Sequence, residues 1–275
     1  MPMFDISGAS LYCIHEGAGE PLLLIPGLGM ESSYFNHVLP HLAKHFAVYA
    51  IDPRGIGKST KTPPPYSVEG WADDFAAFID AVGKGPMHVL GSSLGGATTL
   101  ALGVRHPKKV RSLIPVGAIS ELDRAAELNF NLRLRLIRKL GMGDEVADYM
   151  GLWTMSREFI NSEKGYAVMR ANQANIKKNS VELYSAFIEC LLRWARCLPG
   201  QESEPKFTSQ LSKICAPTLV ITSENDHLIP VNFSELIAAK VPGAQLHVLP
   251  GGHIPFMEQP DKVARLIIDF IQSPH

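Results

Sequence analysis

Residues 88–98, HVLGSSLGGAT, set two adjacent serines, Ser92 and Ser93, among glycines at the end of an apolar run. A serine displayed for attack at the top of a strand needs a very tight strand-to-helix turn. In such a turn the residues two before and two after the serine approach one another, so both must be small. For Ser92 those flanks are Leu90 and Leu94; for Ser93 they are Gly91 and Gly95. Only Ser93 meets the requirement. The preceding MHVL reads as a strand and the following GGATTLALGV as a helix, which predicts a strand, a sharp bend at Ser93, and a helix.

The same alternation extends outward. PLLLIPG (21–27), FAVYAIDPRG (46–55), MHVLGSS (87–93) and VRSLIPVG (110–117) are short apolar runs ending in loop residues, the pattern of strands buried on both faces of a parallel sheet. Between them, SVEGWADDFAAFIDAVG places Val68, Trp71, Phe75, Phe78, Ile79 and Val82 at helical spacing, with Ser67 as N-cap and Gly83 as the stop. Strand and helix in alternation predict an α/β fold with a mostly parallel, doubly wound sheet. The rhythm breaks near residue 120, and residues 120–205 show helical patterns only. Strands and helices resume with APTLVITSEND, NFSELIAAKV, AQLHVLPGG and PDKVARLIIDFIQ. The expected organisation is a core of residues 1–119 and 206–275 interrupted by a helical insertion of residues 120–205.

Composition excludes several classes. The 275-residue chain is 46% hydrophobic and 19% charged, with a formal net charge of −1, which argues against nucleic acid as a partner. The one dense basic stretch, NLRLRLIRKLG, interleaves Arg133, Arg135, Arg138 and Lys139 with leucines and reads as the solvated face of an amphipathic helix. Neither a signal peptide nor a membrane span is expected, and the location expected is cytoplasmic. Cys13, Cys190, Cys197 and Cys215 show no metal-binding spacing and read as buried or bystander thiols. His37, His41 and His45 recur every four residues, but Pro40 lies within the run and no carboxylate accompanies it, so no metal site is expected. GIGKST (55–60) resembles the end of a phosphate-binding loop, yet Asp52 stands where that motif needs glycine.

A serine hydroxyl needs a base to take its proton and an acid to orient the base. His253, in the loop of LHVLPGGHIPFMEQP, is the candidate base. Asp226, just past LVITS, is the candidate acid, with Glu224, Glu121 and Asp123 as rivals and His227 as a rival base. All three favoured residues lie beyond the carboxyl ends of strands, where functional groups gather in open α/β sheets. The chain order Ser93, Asp226, His253 is that of hydrolases built on a nucleophile elbow. Acyl transfer also needs donors for the developing oxyanion. The backbone N–H groups of Leu94 and of Leu28, in the Pro26-Gly27-Leu28-Gly29 loop, are the candidates, with Gly29 as the alternative to Leu28.

IPGLGM, DPRGIGKST, GSSLGG, SENDHLIP and GGHIPFMEQP together resemble the α/β-hydrolase superfamily, in order and over nearly the whole chain. The resemblance implies an α/β-hydrolase fold with the insertion, placed after the sixth core strand, acting as a cap over the active site. Within the superfamily the chain is similar to cap-containing esterases and lactonases of the 3-oxoadipate enol-lactonase kind. Pro26 stands where many relatives have the histidine of an H-G-x-G loop, Ser92 where carbon–carbon bond hydrolases commonly carry Asn, and Ile254 where those carry Trp.

The expected activity is therefore hydrolysis of a small-molecule ester or lactone through an acyl-enzyme on Ser93, with no metal or organic cofactor. Carbon–carbon bond hydrolysis, acyl transfer or perhydrolysis on the same residues, and a receptor of negligible turnover are the alternatives. Gly29, Trp153, Met155, Tyr184, Phe187 and Trp194 are the candidates to line a substrate pocket. Arg157 and Arg193 are set against a surface role as groups that could meet a substrate carboxylate. No membrane partner is expected, and a homodimer is compatible with the sequence.

Overall fold

The computed structural model describes all residues except Met1, Pro199, Glu202, Pro274 and His275. Eight strands form one sheet: β1 (Met3–Ile6), β2 (Ala9–Glu16), β3 (Glu20–Ile25), β4 (Phe46–Ile51), β5 (Met87–Ser92), β6 (Val110–Val116), β7 (Leu219–Ser223) and β8 (Gln245–Leu249). Their spatial order is β1-β2-β4-β3-β5-β6-β7-β8. The β1–β2 and β2–β4 pairs are antiparallel and every other pair is parallel.

The apolar runs are continuous because both faces of the sheet are covered. Successive side chains of a strand point to opposite faces. Leu23 and Ile25 of β3, Tyr49 and Ile51 of β4, and Val89 of β5 join one core cluster. Leu22, Leu24, Val48, Ala50 and Leu90 join the other. The first face is covered by α2 (Val68–Val82) and α3 (Leu94–Arg105), the second by α1 (Leu39–Leu42), with the C-terminal helices described below. The caps read from sequence are in place: Ser67 accepts from the Gly70 N–H at 3.0 Å, and Gly83 adopts the left-handed conformation at φ +69°.

Between β6 and β7 the described residues form five α-helices, α4 (Arg124–Leu140), α5 (Asp144–Thr154), α6 (Arg157–Ile160), α7 (Glu163–Ile176) and α8 (Val181–Trp194), followed by a 3-10 helix over Phe207–Lys213. After β7 the chain forms α9 (Val231–Lys240), then β8, α10 (Pro255–Glu258) and α11 (Pro260–Gln272). Ser156 ties the inserted helices to the core through Glu258, which accepts its N–H at 2.8 Å and its hydroxyl at 2.7 Å. On the other side Asn179 donates to the carbonyl of Gly29 at 3.1 Å. Among the described residues no helix is long and apolar enough to cross a membrane.

The basic stretch of α4 departs from the expectation. Arg135, Arg138 and Lys139 are exposed as expected, but Arg133 is buried, at 3% exposure. It sits on the inner stripe of the helix with Phe130, Leu134 and Ile137, all buried.

Candidate active site

At the end of β5 the chain turns sharply into α3, and Ser93 occupies the bend at φ +54°, ψ −116°. That conformation is strained for any residue with a Cβ. It is held by a 2.8 Å hydrogen bond from the Ser93 N–H to the Val116 carbonyl and a 3.0 Å bond from Ala97 N–H to the Ser93 carbonyl. The glycine requirement is met literally. A Cβ on Gly91 would overlap the Gly95 carbonyl, and one on Gly95 would overlap the carbonyls of Ile25 and Pro26. Gly96 is equally confined, since its Cβ would lie 2.6 Å from that of Ala118. Ser92, the other serine, is buried and bonded through its hydroxyl to that of Tyr34 at 3.0 Å.

Asp226 and His253 meet beyond the ends of β7 and β8. His253 Nδ1 lies 2.7 Å from Asp226 Oδ2, and the two side chains are 4% and 1% exposed. The other carboxylate oxygen, Oδ1, accepts the N–H groups of Leu228 at 3.0 Å and Ile229 at 2.8 Å. Three donors thus converge on Asp226 and leave it no freedom to turn. With Nδ1–H committed to Asp226, the imidazole presents Nε2 as its acceptor. That Nε2 is buried and has no hydrogen-bond partner among the described residues. The rivals lie elsewhere: Glu121 pairs with Lys206 at 3.0 Å, Asp123 caps α4 through Ala126 N–H at 2.8 Å, and Glu224 and His227 are exposed.

Ser93, His253 and Leu28 line one small cavity of about 60 Å³ under the inserted helices. The N–H of Leu94 is the first of α3, where helical N–H groups have no intrahelical partner. The N–H of Leu28 makes no hydrogen bond among the described residues. Gly27 lies so close that a Cβ there would touch that of Ser93 at 3.4 Å. A wider cleft of about 420 Å³ adjoins the cavity, with Met30, Tyr34 and Asn172 lining both.

Of the aromatic and Met candidates in the insertion, Tyr184 lines the cavity and the others do not. Phe187 packs on Tyr66 and Trp71, and Trp194 packs on Phe207. Met155 is buried in the core cluster on the far face, and Trp153 points outward at 37% exposure. These four serve packing or face solvent because helical spacing reports burial without saying what is buried against what. Gly29 lies on the outer cleft, at φ +70°, directly under the Tyr184 ring. Arg157 is exposed, and Arg193 donates to the Tyr66 carbonyl at 3.3 Å, away from the cavity.

Sequence reasoning passed over four residues at this site. Gly117 turns at φ +52° beside the imidazole, where a Cβ would stand 3.2 Å from His253 Cε1 and Nδ1. Tyr34, Arg133 and Asn172 line the cavity. A glycine just after an apolar strand was a legible signal for the first. Burial pushes the hydroxyl pKa of Tyr34 well above its ordinary value; its bond to Ser92 works in the opposite direction. Burial also raises that of Tyr184, against the lowering effect of nearby Arg133.

The family profile for the alpha/beta hydrolase fold matches residues 20–260. The chain belongs to the α/β-hydrolase family. It is 30% identical, over 264 residues, to the 2-hydroxymuconate semialdehyde hydrolase of Pseudomonas sp. (strain CF600), covering 93% of this chain and 88% of that one. It is 28% identical to the provisionally named carbamate hydrolase RutD of Pantoea ananatis over 92% of this chain and 88% of the relative. Its backbone resembles the enol-lactonase of Burkholderia xenovorans LB400 with a TM-score of 0.87 at 21% identity, covering 99% and 100% of the two chains. The last likeness speaks for the fold alone. Membership in the family makes the chain a hydrolase by descent, and its relatives span more than one scissile bond.

Proposed function

We propose that this hydrolase cleaves a carboxylic ester or lactone through an acyl-enzyme on Ser93. The observation that carries the reading is the buried Asp226–His253 pair: His253, its Nε2 without a hydrogen-bond partner among the described residues, lines the same cavity as Ser93, which is held at the bend. Ser93 Oγ attacks the carbonyl carbon while His253 Nε2 takes its proton, and Asp226 keeps the imidazole in the required tautomer. The oxyanion that forms is met by the N–H groups of Leu94 and Leu28, each such donor being worth roughly 10²–10³ in rate. Collapse of the tetrahedral species expels the alkoxide, which His253 protonates. A water then gives its proton to His253 and attacks the acyl carbon, releasing the acid and restoring Ser93. The helices between β6 and β7 serve as a cap that screens this chemistry from bulk water.

The experiment is a fluorophosphonate labelling of wild type and Ser93→Ala, read by intact mass and peptide mapping, followed by an ester and lactone panel. A single adduct on Ser93, absent from the variant, with turnover of a panel member, supports the reading. An adduct on Ser92, or no adduct on folded protein with short-chain probes, overturns it.

A second reading rests on the 30% identical relative, named as a semialdehyde hydrolase: the same residues acting on a carbon–carbon bond. Ser92, bonded to Tyr34, supports the ester reading over this one, because those hydrolases commonly carry Asn there. Cleavage of a vinylogous diketone without turnover of simple esters would favour the second.

A further inference from the structure

Three residues, Met30, Tyr34 and Asn172, line both the cavity at Ser93 and the wider cleft outside it, and so form the throat between the two. The cavity is small beside the cleft, about 60 against 420 Å³, so a ligand longer than a short ester passes that throat. Two of its three residues are polar, and neither has its hydrogen bonds completed by the chain. Asn172, on α7, is 8% exposed, and its Oδ1 is buried with no partner among the described residues. Buried carbonyl oxygens in folded proteins are nearly always paired, so one left open at a cavity wall asks what pairs with it. Tyr34 comes from the core, in the short helix Ser32–Phe35 that follows β3. It is 3% exposed, and its hydroxyl lies 3.0 Å from that of Ser92. Two hydroxyls bring two protons, and the one bond between them uses one. The other proton has no acceptor among the described residues, and both side chains line the cavity. Burial raises the Tyr34 pKa and keeps the proton on its hydroxyl, so the pair remains a donor.

We infer that this throat recognises a neutral group that both donates and accepts a hydrogen bond, and that the substrate of Ser93 is an ester or lactone carrying a secondary amide or a hydroxyl a few atoms from the scissile carbonyl. The Tyr34–Ser92 pair donates to the oxygen of that group, and Asn172 Oδ1 accepts its N–H or O–H. One ligand group thus answers both the spare proton and the open oxygen. A ketone accepts without donating and leaves Asn172 unmet, and an alkyl chain leaves both unmet. A site with buried polar groups discriminates strongly against an analogue that lacks their partners.

The inference rests on the serine-hydrolase reading, and its test separates the two. In one arm the polar group is on the alcohol. There 2-acetamidoethyl, 3-acetamidopropyl, 3-hydroxypropyl and 4-hydroxybutyl butanoate are each compared with the alkyl butanoate of equal chain length. In the other it is on the acyl group: 4-nitrophenyl esters of N-acetyl-β-alanine, N-acetyl-4-aminobutanoate and 3-hydroxybutanoate are compared with those of hexanoate, heptanoate and 3-methylbutanoate. Each kcat/KM is divided by the rate constant of alkaline hydrolysis, which removes inductive differences. Wild type should show a polar-over-alkyl ratio above about fivefold in at least one pair, each hydrogen bond being worth roughly two- to tenfold. The pair that shows it says whether the group is the amide or the hydroxyl, and on which side of the ester it lies. That ratio should fall at least about threefold in Tyr34→Phe and in Asn172→Leu, each close in size to the residue it replaces. Should Asn172→Leu not fold, Asn172→Ala takes its place. Merely structural residues would lower polar and alkyl esters together and leave the ratio alone. A wild-type ratio below about fivefold in every pair overturns the inference without any variant. So does a ratio unmoved in either variant that folds.

If no ester of either arm is turned over, the hydrolase reading is what has failed, and binding then decides the throat alone. Saturation-transfer NMR titrations compare N-propylacetamide and 1-pentanol with 2-hexanone, which accepts a hydrogen bond and donates none. Binding of either donor at least about threefold tighter than the ketone, with the difference lost in the Asn172 variant, upholds the recognition site. Equal binding, or none, refutes it.

Discussion

Replacing Ser93 with glycine should make the protein more stable than replacing it with alanine, against the usual order of the two residues. Ser93 sits at φ +54°, ψ −116°, the mirror image of an ordinary extended conformation and open to glycine at no steric cost. A residue with a Cβ held there stores about 1–3 kcal/mol of strain. Alanine keeps the strain, whereas glycine removes it but adds roughly 0.4–1 kcal/mol of unfolded-state entropy. The net is about 1 kcal/mol in favour of Ser93→Gly. At about 2.1 cal/mol/K per residue the unfolding entropy of a chain this long is about 0.6 kcal/mol/K, so the expected Tm difference is about 2 °C. Both variants lack the hydroxyl, so their comparison isolates the backbone. Urea unfolding followed by circular dichroism, with differential scanning calorimetry, measures it. A Ser93→Gly protein less stable than Ser93→Ala by about 0.5 kcal/mol, the ordinary cost of glycine, would show that the bend is not strained and that the surrounding glycines do not force it.

Asp226→Asn should fold normally, since its remaining oxygen still accepts from Leu228 and Ile229, yet lose about 10³–10⁴ in kcat because the amide favours the wrong imidazole tautomer; steady-state kinetics on an ester that wild type turns over checks this. Gly91→Ala, whose Cβ would overlap the Gly95 carbonyl, should cost about 3 kcal/mol in urea unfolding. Gly85→Ala, at φ +78° in open space, should cost only about 1 kcal/mol, and equal costs would contradict the packing argument. Burial pushes the Cys13 and Cys190 thiols up to about 12, so iodoacetamide at pH 8 should modify exposed Cys215 in the folded protein and spare those two. Because their folded values lie above the ordinary thiol range, the stability they contribute is complete below that range and is lost as pH rises through it toward 12, which unfolding curves from pH 8 to 11 would follow.

Where the sequence was readable, the reason was backbone geometry. Gly91 and Gly95 flank Ser93 because nothing larger fits, and Ser67 and Gly83 bound α2 because a helix end needs a cap and a left-handed exit. Strands β3 to β7 were legible because burial on both faces leaves a nearly unbroken apolar run, whereas β8 at the sheet edge alternates exposed and half-buried residues. The hairpin β1–β2 was not, since its outer strand alternates between exposed and half-buried positions and carries no such run. The pocket candidates in the insertion failed for a different reason. Trp194, Phe187 and Met155 are apolar and buried, as their spacing says, but within the core clusters, Trp194 against Phe207 and Phe187 against Tyr66 and Trp71. Spacing gives the side of a helix and is silent about the neighbour.

Arg133 shows what a closer reading of periodicity would have revealed. At about 100° per residue, Phe130, Leu134 and Ile137 fall within about 60° of one another and form the inner stripe of α4. Arg133 lies about 60° from Phe130 on one flank of that stripe, while Arg135, Arg138 and Lys139 fall at about 140°, 80° and 180° from Phe130 on the other side. The basic stretch is thus two populations: three charges turned to water and one turned inward. Counting charges merges them; placing each on the wheel separates them. The separation also divides the molecule's labour. The groups proposed to react are held by main-chain features, namely the bend at Ser93, the N–H groups that fix Asp226, and the bare Gly117 beside the imidazole. Much of the cavity's remaining lining comes instead from side chains of the inserted helices, Arg133, Met150, Thr154, Asn172, Ile176 and Tyr184, so the part of the wall that meets a ligand is carried by elements other than those that fix the turn at Ser93.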